Sequence, residues 1–409
     1  MKNMAVIDLG SNSIRLVIWQ ILENNSHRVI YKTKDMVRLS EGLNKDKMLK
    51  PSAMSQALSS LKMFSNIIKT KCVFKTYVIA TAAMRTAYNA EMFLNLIKAE
   101  TGLEVQIISG LEEASYVYYG NMNTLSLNDC ILIDTGGAST EVILVKDRKI
   151  VNSESIPVGA VTLYEQFMYD QKPDVIPSKR TLQLMYDHVY GLFESLTWLR
   201  NQKCIPIIGL GGSIRSLGKI HQLRCNYPLK ILHNYNIHSS SVCDTIRLIE
   251  SLSFKKRLEF LKLDKKRADT IVGGLTPLKS IIKLTRSQNV VISESGLREG
   301  VFYNHILGKN HIINDVLAYN ANNILNLYDQ DIKHCRWVQS FCEVIFDELK
   351  SVHMVDEYYK KVLSCAAMLH DIGLAIDYEN HDKHGFYMLL STRFYGLTHK
   401  ELVLCALLI

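Results

Sequence analysis

One strand–turn–strand pattern occurs twice in this chain, 126 residues apart. The first copy reads Ala5-Val6-Ile7-Asp8-Leu9-Gly10-Ser11-Asn12-Ser13-Ile14-Arg15-Leu16-Val17-Ile18. The second reads Ile131-Leu132-Ile133-Asp134-Thr135-Gly136-Gly137-Ala138-Ser139-Thr140-Glu141-Val142-Ile143-Leu144. Asp8 aligns with Asp134, Gly10 with Gly136 and Ser13 with Ser139. Apolar runs on both sides of a short polar, glycine-bearing loop predict two strands joined by a tight turn. Duplication of such a unit predicts two halves of like architecture whose turns face each other across a cleft. Backbone N–H groups would then meet an anion from two sides, with an aspartate beside each turn to hold a metal ion.

The remaining bulk properties narrow the class. The 409 residues suffice for two or three domains, each with its own core. An apolar share of 47% with 22% charged residues describes a globular chain rather than a disordered one. No apolar run reaches eighteen residues, and Met1-Lys2-Asn3 leads straight into a strand, so no membrane partner is expected. The nine cysteines are scattered, none as Cys-x-x-Cys, which fits reduced thiols of a cytoplasmic protein. Net charge is +8, divided as +12 over residues 1–305 and −4 over 306–409. The duplicated part is the basic part, which suits a polyanionic ligand. Clusters such as Lys255-Lys256-Arg257 read more readily as solvated helix faces, and no nucleic-acid recognition motif accompanies them.

The pattern predicts α/β lobes over 1–125 and 126–305, then a helical domain over 306–409. Predicted strands are 4–8, 14–21, 28–33, 76–80 and 104–108 in the first lobe. In the second they are 131–134, 141–146, 150–156, 205–208 and 290–292. The main helices are expected at 52–69, 89–101, 111–121, 160–167 and 178–200.

Gly10, Gly136 and Gly137 would let backbone approach a phosphate, while Ser13, Ser139 and Thr140 could donate hydroxyl hydrogen bonds. Ser11, Asn12 and Ala138 complete the two loops. Asp8, Asp134 and Glu141 could position Mg²⁺, or Mn²⁺, directly or through its water shell. A third loop, Gly209-Leu210-Gly211-Gly212-Ser213-Ile214-Arg215, follows a strand and opens a helix, with Gly211, Gly212 and Ser213 as anion-binding candidates. Thr81-Ala82-Ala83-Met84-Arg85 also follows a strand, and Arg85 could clamp a phosphate or lie on the surface. Glu112 and Glu113 fall on a first helical turn; adjacent helical positions diverge by about 100°, so only one is expected to face the cleft.

With these residues laid out, the chain resembles the exopolyphosphatase/guanosine-pentaphosphatase family, of the actin–Hsp70–sugar-kinase superfold. Asp8-Leu9-Gly10-Ser11-Asn12-Ser13 matches its opening signature and Thr81 to Arg85 its Thr-x-x-x-Arg element. Ile108-Ser109-Gly110 through Glu112-Glu113-Ala114 matches its catalytic segment, and Gly296-Leu297-Arg298-Glu299-Gly300 the ending of its second lobe. The resemblance implies two duplicated actin-like (ribonuclease H-like) lobes around a cleft, Glu113 as the catalytic glutamate and a homodimer. It implies a substrate of inorganic polyphosphate or guanosine pentaphosphate, of which polyphosphate is preferred because it needs only a basic channel. An ATP-dependent relative of the superfold, or a non-catalytic (p)ppGpp or polyphosphate sensor, stands as the alternative. Ala138 departs from a glycine usual in the family. If that position required positive φ, alanine would cost about 1 kcal/mol.

The tail resembles HD-type metal phosphohydrolases at Met368-Leu369-His370-Asp371-Ile372-Gly373, with His334 placed as a first ligand. Such a centre needs a further ligand after the His-Asp pair, and no aspartate follows Asp382. His381 and His384 could supply nitrogen instead. The HD-like domain is expected to be incomplete and to extend the binding channel or support dimerisation rather than to form a second metal centre at His334, His370 and Asp371.

Overall fold

The strands of both motifs are buried along most of their length, which requires cover on both sheet faces. The computed structural model describes residues 1–409 except Asp170, Gln171, Pro173, Asp264 and Asp329, and the side chains of Asn44, Lys45 and Lys266. In it β1 (Lys2–Leu9), β2 (Ile14–Ile21), β3 (His27–Asp35), β4 (Val73–Ala80) and β5 (Val105–Ile107) form one sheet of order β3-β2-β1-β4-β5. The first three strands pair antiparallel through short turns, whereas β4 and β5 join in parallel after the helices Pro51–Thr70 and Ala90–Thr101.

The second sheet contains β6 (Cys130–Thr135), β7 (Thr140–Lys146), β8 (Lys149–Ile156), β9 (Ile207–Gly211), β10 (Tyr235–His238) and β11 (Asn289–Ile292). Its order is β10-β11-β9-β6-β7-β8. Position by position, β6, β7, β8, β9 and β11 repeat β1 to β5, with β10 added as an antiparallel edge. The expected two-lobed duplication is therefore present. The periodicity missed β10, a four-residue strand with no apolar run of its own. It also made one helix of 178–200, where the chain breaks at Ser195–Leu196 between Lys179–Glu194 and Thr197–Arg200.

The two lobes exchange a helix. Helix Gly110–Met122 precedes the second motif, yet its Ala114, Val117 and Met122 pack with Leu132, Ile143 and Ile208 of the second sheet. Helix Leu297–Leu307 follows the second sheet, yet its Val301 and Phe302 pack with Val6, Val17 and Trp19 of the first. The two helices cross at glycines: a Cβ on Gly300 would overlap the Tyr116 carbonyl oxygen, and one on Gly120 the Gly296 carbonyl oxygen.

From Val316 onward the described residues form helices and short turns without a strand, around a separate core that includes Leu325, Val362, Leu369 and Leu402. All nine cysteines are free thiols. Among the described residues no helix is long and apolar enough to cross a membrane.

Candidate active site

The register of each motif places its aspartate opposite a charged partner, Asp8 across from Arg15 and Asp134 across from Glu141. Both turns close alike: Gly10 N–H donates to Ser13 O at 3.2 Å and Gly136 N–H to Ser139 O at 2.9 Å. The turns touch, since a Cβ on Gly137 would lie 3.0 Å from Ser11 Cβ and 3.1 Å from Asn12 N. Between them lies a cavity of about 90 Å³ lined by Asp8, Gly10, Ser13, Asp134, Gly136 and Ser139. Ser11, Asn12, Gly137, Glu141, Gly211, Gly212 and Glu113 also line it, as do Arg15, Thr81, Arg215 and Arg298.

The backbone of the second loop is aimed. Gly136 and Gly137 carbonyls accept from Ala160 N (3.0 Å) and Val161 N (2.8 Å) at the start of helix Ala160–Phe167. In trans peptides the N–H opposes the C=O, so the N–H groups of Gly137 and Ala138 point away from that helix. Ala138 does not adopt positive φ, so alanine carries no left-handed penalty there. Gly211 does, at φ 92°, and a Cβ there would overlap Thr135 O; only glycine fits.

The neighbouring glutamates are separated by a cap. Ser109 Oγ accepts from Glu112 N at 3.2 Å while Glu112 Oε2 accepts from Ser109 N at 2.8 Å, a reciprocal capping box. Glu112 is thereby occupied, and Glu113 reaches the cavity. Its Oε2 accepts from Arg85 Nη1 at 2.8 Å, and the same nitrogen donates to Ile108 O at 2.9 Å. Arg85 does not line the cavity; its guanidinium is paired with Glu113 beside it. Ala138, Thr140 and Ser213 also stand behind the wall. Thr140 Oγ1 donates to Val158 O at 2.6 Å, and Ser213 Oγ accepts from Arg267 Nη1 at 3.2 Å.

Burial dominates the electrostatics. It raises Glu113 well above the usual carboxylate range, helped by Glu141 and opposed by Arg85. It brings Glu141 up to about 7, with Asp134 adding to the rise and the hydroxyls of Ser139 (2.8 Å) and Ser155 (2.9 Å) opposing it. Asp8 and Asp134 are also raised by burial, against the pull of nearby arginines. Arg15 is lowered to about 10 by burial and by repulsion from Arg215 and Arg298; Arg215 is lowered by burial and Arg298. A cluster of like-charged guanidinium groups beside carboxyls is stabilised by an anion among the former and a cation near the latter.

Among the lining residues that the sequence did not single out, with Arg267, Glu294 and Glu299, are Arg15, Arg215 and Arg298. Their signal lay within quoted motifs, Arg15 seven residues after Asp8 and Arg298 inside Gly-Leu-Arg-Glu-Gly. With Lys32, Lys34, Lys219 and Arg393 they line an adjoining cavity of about 440 Å³ that shares Gly212, Arg215 and Arg298 with the central one. Arg393 comes from the helical domain and so extends this basic path. The hard oxygen donors Asp8, Asp134 and Glu141 suit a hydrated divalent ion. Among the described residues their ligand atoms do not converge within 4.8 Å of one another, so direct coordination by all three is not formed. His334, His370 and Asp371 lie apart from this cavity and meet within the helical domain.

Comparison with known proteins agrees with this geometry. Residues 17–309 match the model of the Ppx/GppA phosphatase family, and residues 318–409 that of Ppx/GppA phosphatase, domain III. The guanosine-5'-triphosphate,3'-diphosphate pyrophosphatase of Vibrio atlanticus is 26% identical over 402 residues, 97% of this chain and 78% of that protein. The protein of the same name from Pseudoalteromonas atlantica is 28% identical, over 97% of this chain and 77% of that one. Among solved structures, the Ppx/GppA family member of Aquifex aeolicus superimposes with a TM-score of 0.63 at 26% identity, over 76% of this chain and 99% of that one. An exopolyphosphatase from Cytophaga hutchinsonii shares the fold with a TM-score of 0.68 at 22% identity, over 76% of this chain and 100% of that one. With both lobes and the helical region matched, this chain belongs to the Ppx/GppA phosphatase family.

Proposed function

We propose that this protein is a phosphoanhydride hydrolase that removes the terminal phosphate of inorganic polyphosphate. The observation that carries the reading is the basic 440 Å³ cavity that shares Arg15, Arg215 and Arg298 with the 90 Å³ cavity where both glycine turns meet. A linear polyanion needs only cations along its path, and Arg15, Arg215, Arg298 and Arg393 provide them. The terminal phosphoryl group rests against Gly137 and the turn Gly10–Ser13. Glu113, ionised, takes a proton from a water aligned with the terminal phosphorus. As the water oxygen bonds to phosphorus, the bridging P–O bond breaks, leaving orthophosphate and a chain shorter by one unit. Mg²⁺ held by Asp8, Asp134 and Glu141 through water would offset charge on the phosphate oxygens. Positioning and electrostatics suffice for such transfer, so no covalent nucleophile is required.

A second reading, release of the 5′-terminal phosphate of guanosine pentaphosphate, is favoured by the names of the curated relatives. The bond broken is the same. Phosphate release should be measured with Mg²⁺ on long polyphosphate, guanosine pentaphosphate and ATP. We expect turnover of polyphosphate and none of ATP. Faster release from guanosine pentaphosphate would establish the second reading, and tight binding without release from any of them would overturn both.

The electrostatics of Glu113 predict a pH signature. A base works only when deprotonated, and burial raises this one, so the acid limb of kcat/KM should lie above the ordinary carboxylate range. Arg85 opposes that rise. Arg85→Ala should therefore lower kcat and move the acid limb to higher pH, with Arg85→Lys restoring part of the displacement. An Arg85→Ala profile superimposable on the wild-type one would show that Arg85 does not act through Glu113.

A further inference from the structure

A separate cavity of about 520 Å³ shares no lining residue with the two cavities described above. Both lobes wall it: Arg38 and Lys50 come from the first, Tyr164, Phe254 and Asp269 from the second. Its volume lies within the ordinary range of small-molecule sites.

Arg257 lines this cavity and sets the charge of what fits there. Its basic sequence neighbours suggest a solvated face, yet the side chain is only 2% exposed. Nε donates to Ile249 O at 3.1 Å and Nη1 to Ala268 O at 3.2 Å, while Nη2 has no partner among the described residues. A buried donor left unpaired is costly, and more so on a charged group. Burial lowers this guanidinium to about 10, against the pull of Asp269 and Glu250. An anion at this wall supplies both an acceptor and a countercharge. Arg38 is already paired with Asp269, and Lys50 with Glu41 at 3.2 Å. Lys172, Arg257 and Lys265 form no ion pair among the described residues. Three cations in excess suit a phosphate monoester, close to a dianion at neutral pH, better than a single carboxylate. The aromatic rings of Tyr164 and Phe254 suit a flat organic body attached to it.

The cavity also lies behind all three glycine loops of the catalytic cleft. Arg38 N donates to Asn12 O at 3.1 Å and Ser40 N to Ser11 O at 3.0 Å, fastening the first-lobe wall to the turn Gly10–Ser13. Tyr164 belongs to helix Ala160–Phe167, whose first N–H groups hold the Gly136 and Gly137 carbonyls. Arg267, between Lys265 and Asp269 in the chain, lines the catalytic cavity and donates to Ser213 Oγ at 3.2 Å. A ligand touching both lobes here favours one separation between them, and the loops of the cleft move with that separation.

We infer that this cavity is an effector site for a nucleoside monophosphate or an aromatic phosphate monoester of similar size, coupled to the catalytic cleft through the three loops. Binding stands independently of the hydrolytic reading, whereas the coupling rests on it.

Calorimetric titration of the chain with AMP and with GMP, then with adenosine and with orthophosphate, tests the site. We expect one site per chain for a monophosphate, and binding at least tenfold weaker for adenosine or orthophosphate alone. The exposed pair Lys172→Ala and Lys265→Ala, made together, should weaken the monophosphate at least tenfold and leave polyphosphate turnover unchanged. Phe254→Ala should weaken it comparably. In Glu113→Gln, which does not consume it, polyphosphate should shift the monophosphate affinity about fivefold, the lower end of ordinary coupling, and the reverse shift should be equal. Should polyphosphate not bind, the hydrolytic reading fails, while monophosphate binding that the lysine variants lose still establishes the site. Equal monophosphate affinity in wild type and the double variant, no binding of either monophosphate, or its full displacement by polyphosphate would overturn the assignment.

Discussion

Glu113→Gln is expected to lower kcat for phosphate release about a thousandfold, a loss typical of removing a positioned general base, with little change in KM. Glutamine keeps the side-chain length and can still accept the Arg85 hydrogen bond, so the helix and its capping box should survive. What disappears is the ability to take a proton from water. Because the guanidinium cluster and the two turns are untouched, binding of the phosphate chain should persist. Steady-state phosphate release together with equilibrium polyphosphate binding checks both halves. Near-wild-type turnover would move the base elsewhere in the cavity, with Glu141, at about 7, the next candidate.

Gly300→Ala should destabilise the fold by about 3 kcal/mol, the upper part of the range for overpacking. In an unconstrained helix the same change would stabilise by up to about 1 kcal/mol, because alanine is the better helix former. The sign therefore reports the crossing of the two exchanged helices. A Cβ at this position overlaps the Tyr116 carbonyl oxygen, which is backbone and cannot rotate away. Separating the helices also displaces Glu113, three residues before Tyr116 on helix Gly110–Met122, so kcat should fall along with Tm. Calorimetry decides the matter: an unchanged or raised Tm would mean that the helices do not cross this closely.

The catalytic turns were legible because their determinants are local. Apolar flanks, the glycines and the aspartate sit within fourteen residues in each copy, and both turns close with the same hydrogen bond. The choice between Glu112 and Glu113 was also written locally, as Ser109-x-x-Glu112, although the capping pattern was not used to make it. Arg85 was harder. An arginine on a first helical turn can face a ligand, solvent or another side chain, and only its 28-residue separation from Glu113, closed by the fold, decides which. The concern over Ala138 had the same character, since its φ depends on how helix Ala160–Phe167 receives the loop carbonyls.

Local pattern was enough to establish duplicated strand–turn–strand units, buried sheets and a helical tail, because periodicity and turn chemistry act between residues a few positions apart. The exchange of helices Gly110–Met122 and Leu297–Leu307 and the gathering of Arg15, Arg215 and Arg298 became visible only in three dimensions. Each of these joins side chains distant in the chain, and burial of apolar surface, not any pairwise attraction between them, brings them together.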